Sequence, residues 1–395
     1  MLHGAAESLP LPDAVSAAHS ERVAGFIRAE IAAAGGDIGF AEYMHHALYA
    51  PGLGYYSAGA AKFGPAGDFV TAPEVSPVFG TVLAREIAAV LGGIGSAAIL
   101  EFGAGNGRLA IDVLRTLGEL DAVPPGGYRI LEVSPELRER QADAIRAELP
   151  EFESCVGWLD RPPEAFRGVV IANEVLDALP VERFVRRRDG ARQLRVAAEG
   201  ARFVIRERAA PPVLAAAVEG IETALGSRLP DDYVSEVCLA APPWVRELAG
   251  VLREGAVFLF DYGVSRREYY AADRAGGWLR CHFRHHVHDD PLRLPGIQDL
   301  TAWVDFTAVA EAAAESGLDI AGYAPQAQFL IGAGLDRHLE RIAELPMDAQ
   351  IELSAGVKRL TLPAEMGENF KCLCLGRGLS TRPRAFATAD RTATL

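Results

Sequence analysis

Between residues 97 and 180 the chain alternates short apolar runs with amphipathic stretches, and this rhythm constrains the fold more than any other feature. "AILEF" precedes a helical pattern over 107–117 and "YRILEVS" precedes one over 135–149; "SCVGWL" and "GVVIANEVLDALP" follow. Short strands that are apolar throughout, separated by helices, form a parallel sheet covered on both faces. The rhythm returns with a helix over 243–252 and the strand "AVFLFDYG". It then continues through a helix over 305–316, "LDIAGYAP", a helix over 336–345 and a last strand in "ENFKCLCLGRG". The expected class is α/β. In between, "ERFVRRRDGARQLRVAAEGARFVIRER" consists of short runs punctuated by Asp189-Gly190 and Glu199-Gly200, which predicts antiparallel hairpins inserted into the main fold.

Ahead of the alternation, apolar spacing at Val23, Phe26, Ile27 and Ile31 predicts a helix over 18–34 that stops at Gly35-Gly36. The aromatic-rich "FAEYMHHALYAPGLGYYS" leads into "KFGPAGDFVTAPEVSPVFG", a loop whose length and Gly/Pro content favour a functional role, and a helix resumes over 76–91. The chain therefore divides into an N-terminal helical and loop cap (1–92) and a main domain (93–378) with an insertion at about 181–245. A polar tail (379–395) is expected to fray. A formal net charge of −14 argues against broad attraction to nucleic acid or anionic membranes. No apolar run is long enough to span a bilayer and no export or import signal is apparent, so the expected location is the cytoplasm.

Gly103, Gly105 and Gly107 form G-x-G-x-G directly after the first strand of the alternation and at a helix start. Without Cβ atoms such positions take positive φ and let a ligand approach the backbone, with the helix N-terminus behind them. Glu132 follows one strand-helix-strand unit later, where a carboxylate can accept both ribose hydroxyls. The pair implies a nucleoside. A dinucleotide would call for G-x-G-x-x-G, whereas here the third glycine comes one residue early and Arg108 takes its place. Glu101, two residues before Gly103, adds negative charge at the loop and favours a cationic ligand, as in the ammonium and sulfonium of S-adenosyl-L-methionine.

At the end of the fourth strand, "ANEVLDALP" crowds Asn173, Glu174 and Asp177 where open α/β sheets bind ligands. Asp177 is equally well read as a helix cap. Glu174, an ionised residue directly after a buried strand, suits bidentate capture of a guanidinium. The run His282, His285, His286 and His288 repeats neither a helical HExxH nor a finger spacing, and Asp289, Asp290 and Pro291 make it a loop, so no metal is expected. The five cysteines are scattered. Cys372 and Cys374 share one strand face and read as buried apolar residues.

Taken together, "FAEYMHHALYAPGLGYY", "FGPAGDFVTAPEVSPVFG", "LEFGAGNGRLAIDVL", "NEVLDALPVERF", "FDYG", "HVHDDPLRLPGIQDLTAWVDF" and "MGENFKCLCLG" resemble a family of S-adenosylmethionine-dependent methyltransferases. Its mitochondrial members are protein arginine methyltransferases needed for respiratory complex I assembly. The resemblance runs from about Phe40 to Gly376. It implies a class I (Rossmann-like) methyltransferase sheet, S-adenosyl-L-methionine as cofactor, and a protein substrate, with a complex I subunit as the candidate. It carries Gly103, Gly105, Gly107 and Glu132 onto the cofactor site, Thr71, Pro73 and Glu74 onto the loop covering it, and Asn173, Glu174 and Asp177 onto the transfer centre. His285 matches a family position in the substrate channel, and Tyr262 of "FDYG" ends the fifth strand facing the same cleft or packing in the core. Pro77 and Ala327 depart from the family pattern, which usually has Gln and Gly there.

The expected reaction is direct displacement of the methyl group by an arginine nitrogen, with Glu174 localising the guanidinium charge. A non-catalytic assembly factor that binds the same cofactor, or a small-molecule methyltransferase, are the alternatives. Monomer and homodimer both remain open.

Overall fold

The computed structural model describes residues 9–57, 70–95, 97–340 and 342–395. Part of the Gly/Pro-rich loop, residues 62–69 of "KFGPAGDFV", lies outside them. The chain forms two compact units: Met1–Val70, Ala178–Ala240 and Tyr269–Ala302 make the first, and Thr71–Asp177, Ala241–Glu268 and Trp303–Leu395 the second. The expected boundary at residue 92 is not where the chain divides. The helix Val78–Leu91 belongs to the second unit, and the hairpin insertion joins the N-terminal region in the first.

The second unit is built on a sheet whose strands we number along the chain: β1 (Ala98–Phe102), β2 (Tyr128–Leu131), β3 (Val156–Leu159), β4 (Phe166–Asn173), β5 (Leu252–Val264), β6 (Asp319–Pro325) and β7 (Phe370–Arg377). Their spatial order is β6-β7-β5-β4-β1-β2-β3. The five strands from β5 to β3 run parallel, while β7 is antiparallel to both β5 and β6. The strand order therefore reverses between β1 and β4, and the crevice at their carboxyl ends is where such sheets bind ligands. In β4, Val169, Val170, Ile171 and Ala172 are all buried, as the uninterrupted apolar run requires of a strand covered on both faces. Helices Val78–Leu91 and Arg108–Glu119 supply Val82, Leu83, Ile87, Leu109, Val113 and Leu114 to the core.

The helix expected over 305–316 forms as Phe306–Glu315, capped by Asp305, whose carboxylate accepts the Ala308 amide at 3.1 Å. Cys372 and Cys374 are buried in the apolar core, and no metal-binding group of His, Cys, Asp and Glu occurs among the described residues. Among the described residues no helix is long and apolar enough to cross a membrane. The segment after Gly378 does not fray. Phe386 is 1% exposed against Phe329, and the Arg391 amide donates to the carbonyl of Tyr323.

In the first unit the predicted hairpins form as Glu182–Arg187, Gly190–Glu199 and Arg202–Ala209, with Asp37–Gly39 and Val234–Val237 completing the sheet. "RCHFRHHVHDDP" is not an irregular loop. Leu279–Phe283 and His286–His288 pair as a hairpin, and Asp299–Ala302 adds a third strand. Leu279, Cys281 and Phe283 alternate inward at 6%, 0% and 3% exposure, so the strand has period two, and the Arg and His between them are the polar half of that alternation.

Candidate functional site

The turn after β1 carries three left-handed glycines, with φ of 63°, 55° and 85° at Gly103, Gly105 and Gly107. Gly107 is the N-cap of helix Arg108–Glu119, so the loop passes directly into a helix start. Side chains would be strained at these angles, and their absence leaves backbone groups open to a ligand.

Glu132 stands just past the end of β2, 6% exposed, and accepts the Ser134 amide at 2.9 Å and the Gln141 Nε2 at 3.3 Å. Burial raises its pKa. A carboxylate offers about four lone-pair sites, so capacity remains for hydroxyl donors. Val133 beside it is apolar yet 76% exposed, a surface suited to a flat ring. These features fit a nucleoside.

Thr71 caps the short turn Ala72–Val75 through a capping box with Glu74, and Pro73 is buried within it. Glu74 Oε1 also receives the Asn106 Nδ2 at 2.7 Å, which ties this turn to the glycine loop. The Ala72 amide reaches Glu174 Oε1 at 3.4 Å, and Asn173 Nδ2 donates to the same oxygen at 3.0 Å. Thr71, Pro73, Glu74, Asn173 and Glu174 thus gather where the ends of β1 and β4 meet. Glu174 has a φ of 55°, a strained angle for a non-glycine residue.

Glu101 departs from expectation. It lies within β1, 2% exposed, and accepts the Tyr128 hydroxyl at 2.8 Å, so it is a buried strand residue and not a charge at the loop mouth. Burial, opposed by that hydrogen bond and reinforced by Glu132, pushes its pKa to about 7. Asp177 caps no helix, because none follows β4; it is buried and its amide donates to Asp261.

Asp261, one residue before Tyr262 in β5, was missed by sequence reasoning. It is 1% exposed; Oδ2 accepts the Leu176 amide at 2.8 Å and the Asp177 amide at 3.3 Å, while Oδ1 has no partner. Burial and then the charges of Asp177 and Glu174 raise its pKa well above the carboxylate range. Glu174 is raised similarly by burial and by Asp177. The only hint in sequence was an acid inside an apolar strand. Tyr262 stacks on Trp303 and lies 3.8 Å, centroid to centroid, from Phe370, so its ring packs while its hydroxyl feels the three carboxylates. His285 belongs to the first unit, where with Arg284 it forms the hairpin turn at φ of 61° and 49°.

A parallel sheet reversing between β1 and β4, extended by antiparallel β7 and β6, with a glycine loop after β1 and an acid after β2, defines the class I methyltransferase architecture. Residues 82–324 match the model of an S-adenosyl-L-methionine-dependent methyltransferase family, and the chain belongs to that family. A crystal structure of a Burkholderia thailandensis protein bound to S-adenosyl-homocysteine is 43% identical with a TM-score of 0.92, covering 98% of this chain and 100% of that one. The protein arginine methyltransferase NDUFAF7 of Danio rerio mitochondria is 30% identical, over 85% of this chain and 82% of its own length. The Drosophila melanogaster homolog is also 30% identical, over 93% and 88%. This chain is an S-adenosyl-L-methionine-dependent methyltransferase.

Proposed function

We propose that the methyl acceptor is an arginine side-chain nitrogen of a protein. The observation that carries this reading is the carboxyl cluster of Glu174, Asp177 and Asp261 at the carboxyl ends of β4 and β5. Among the described residues no Lys or Arg pairs with Glu174 or Asp261. Glu174, half-buried, and Asp261, buried, repel one another when both ionise, and a guanidinium offers them a cation with matching planar geometry. The names of the mitochondrial relatives support the same acceptor.

In this reading Gly103, Gly105, Gly107 and Glu132 hold the nucleoside, and Thr71, Pro73 and Glu74 cover it. Bound S-adenosyl-L-methionine supplies an electrophilic methyl group, whose bond to sulfur breaks as the bond to nitrogen forms. Glu174 orients the guanidinium and draws its charge onto the far nitrogens, so that the attacking nitrogen keeps a lone pair. Arginine is not deprotonated in water, so the cluster takes up the proton released after transfer. Asn173, bound to Glu174 Oε1, holds that carboxylate in place. Tyr262 forms a wall of the acceptor pocket, and His285 contacts the incoming protein. The acceptor would be met in the bacterial cytoplasm, with a respiratory complex I subunit as the first candidate.

The test is incubation of the purified protein with radiolabelled S-adenosyl-L-methionine and lysate of a strain lacking it. Label should appear in a protein and be recovered as methylarginine after hydrolysis. Glu174→Gln should abolish it while S-adenosyl-homocysteine binding persists. Label confined to small molecules, or binding without turnover, would overturn the reading.

A further inference from the structure

Gln141 is fully buried, one of only two buried residues on helix Pro135–Glu148, and its side chain hydrogen-bonds to the glycine loop, to the residue after β2 and to β3. Its Oε1 accepts the Trp158 indole N–H at 2.8 Å. An indole nitrogen can only donate, so this bond fixes which end of the amide is oxygen. Nε2 must then face the other way, where it reaches the Gly105 carbonyl at 2.9 Å and Glu132 Oε2 at 3.3 Å. A side chain at Gly107 would also meet Gln141, its Cβ 3.5 Å from the Gln141 Cα. One amide therefore bridges the middle glycine of the loop, the carboxylate after β2 and an indole on β3.

A buried amide costs free energy unless each of its groups is bonded. An apolar residue would fill the core equally well, so packing does not explain Gln141. What the amide does, and no apolar residue could, is fix the distance and angle between loop and carboxylate. We propose that Gln141 is a positioning residue that locks Glu132 to the glycine loop and so sets the enzyme's preference for a ribonucleoside over its 2′-deoxy counterpart. The inference rests on the reading in which Glu132 receives the ribose hydroxyls. Trp158 acts one step further out by preventing the amide from turning over.

The experiment measures, by calorimetry, the affinities of the wild type and variants for S-adenosyl-homocysteine and for its 2′-deoxy analogue. A hydrogen bond from ribose to a well-placed carboxylate corresponds to a preference of about tenfold or more. Gln141→Leu should bring the ratio of the two affinities close to one, chiefly by weakening S-adenosyl-homocysteine. Trp158→Phe, which keeps Gln141 and removes only the donor that orients it, should lower the ratio part of the way. If both affinities fall together in Gln141→Leu with the ratio intact, the residue is merely structural and the inference fails. It fails equally if neither affinity changes. Should Gln141→Leu not fold, an unchanged ratio in Trp158→Phe overturns the inference and a lowered one supports it. Glu132→Ala separates this from the underlying reading: a preference that survives Glu132→Ala sinks the ribose assignment itself.

Discussion

The carboxylate of Asp261 accepts the Leu176 amide at 2.8 Å and keeps its second oxygen unbonded. The bond ties the end of β5 to the segment after β4, so one residue shapes that segment and contributes an ionisable group to the cluster. The two tasks separate by substitution. Asp261→Asn retains an acceptor for the amides and removes an acid whose ionisation its surroundings disfavour, so it should be at least as stable as the wild type at neutral pH while methyl transfer falls tenfold or more. Asp261→Ala leaves the amides of Leu176 and Asp177 without their acceptor and should cost about 1–3 kcal/mol. Urea unfolding and labelled methyl transfer check the two.

Glu101 gives the enzyme a pH-dependent stability of definite sign. Its folded pKa of about 7 lies above the ordinary 4.5 because burial disfavours the charged form. Between those values Glu101 binds more of a proton in the folded state than in the unfolded one, so its contribution to stability is fully present below about pH 4.5 and is lost as pH rises through 7. Glu101→Gln, which can still accept from Tyr128, should abolish this slope and be more stable than the wild type at about pH 8, by on the order of 1–3 kcal/mol. Urea midpoints measured from about pH 5 to 8 would show two curves that nearly coincide at the acid end and diverge as the pH rises.

The sheet and the glycine loop were legible because their signals are local. β1 is an apolar run bounded by a glycine and matches expectation at Ala98–Phe102. The helix Pro212–Leu225 has a weaker signal, because Leu214, Val218 and Ile221 repeat with helical spacing directly after the hairpin pattern and no glycine or charged cap marks its start. Met347–Thr361 offered less: only Gly356 and Leu360 are buried, and Met347 and Ile351 face solvent. Asp261, Gln141 and Asn106 owe their roles to partners as far as 85, 36 and 32 residues away. No periodicity within one segment announces such pairings. Glu101 was misplaced for the converse reason: sequence distance to the loop is short, but β1 carries the side chain into the sheet.

Asn106 has two bonds that a substitution can divide. Its Oδ1 accepts the Arg108 amide at 3.0 Å, and its Nδ2 donates to Glu74. Asn106→Asp keeps the first and replaces the second with a repulsion between carboxylates, whereas Asn106→Ala loses both without adding charge. Because the residue is exposed, either change should alter global stability by less than about 1 kcal/mol. If the link between the Ala72–Val75 turn and the loop supports cofactor binding, S-adenosyl-homocysteine should bind more weakly to Asn106→Asp than to Asn106→Ala. Calorimetry below about 0.1 M salt would show the ordering most clearly, since screening weakens the repulsion.

The C-terminal segment is a structural part of the second unit, and Phe386 is where this can be measured. Its ring packs on Phe329, which in turn meets Phe258 and Phe260 of β5, and it fills the space that a Cβ on Gly322 would otherwise enter at 2.1 Å. The neighbouring Ala385 amide donates to Glu86, a buried acid whose other oxygen has no partner. Removing the ring empties a core position that the surrounding strands cannot close, so Phe386→Ala should destabilise the enzyme by about 3–5 kcal/mol. Truncation after Gly378 should cost more, because Glu86 would then also lose its donor while remaining in an apolar setting. Substituting Phe386 by Leu should recover most of the loss. A truncated chain with an unchanged unfolding midpoint would show that the segment contributes nothing to the core it touches.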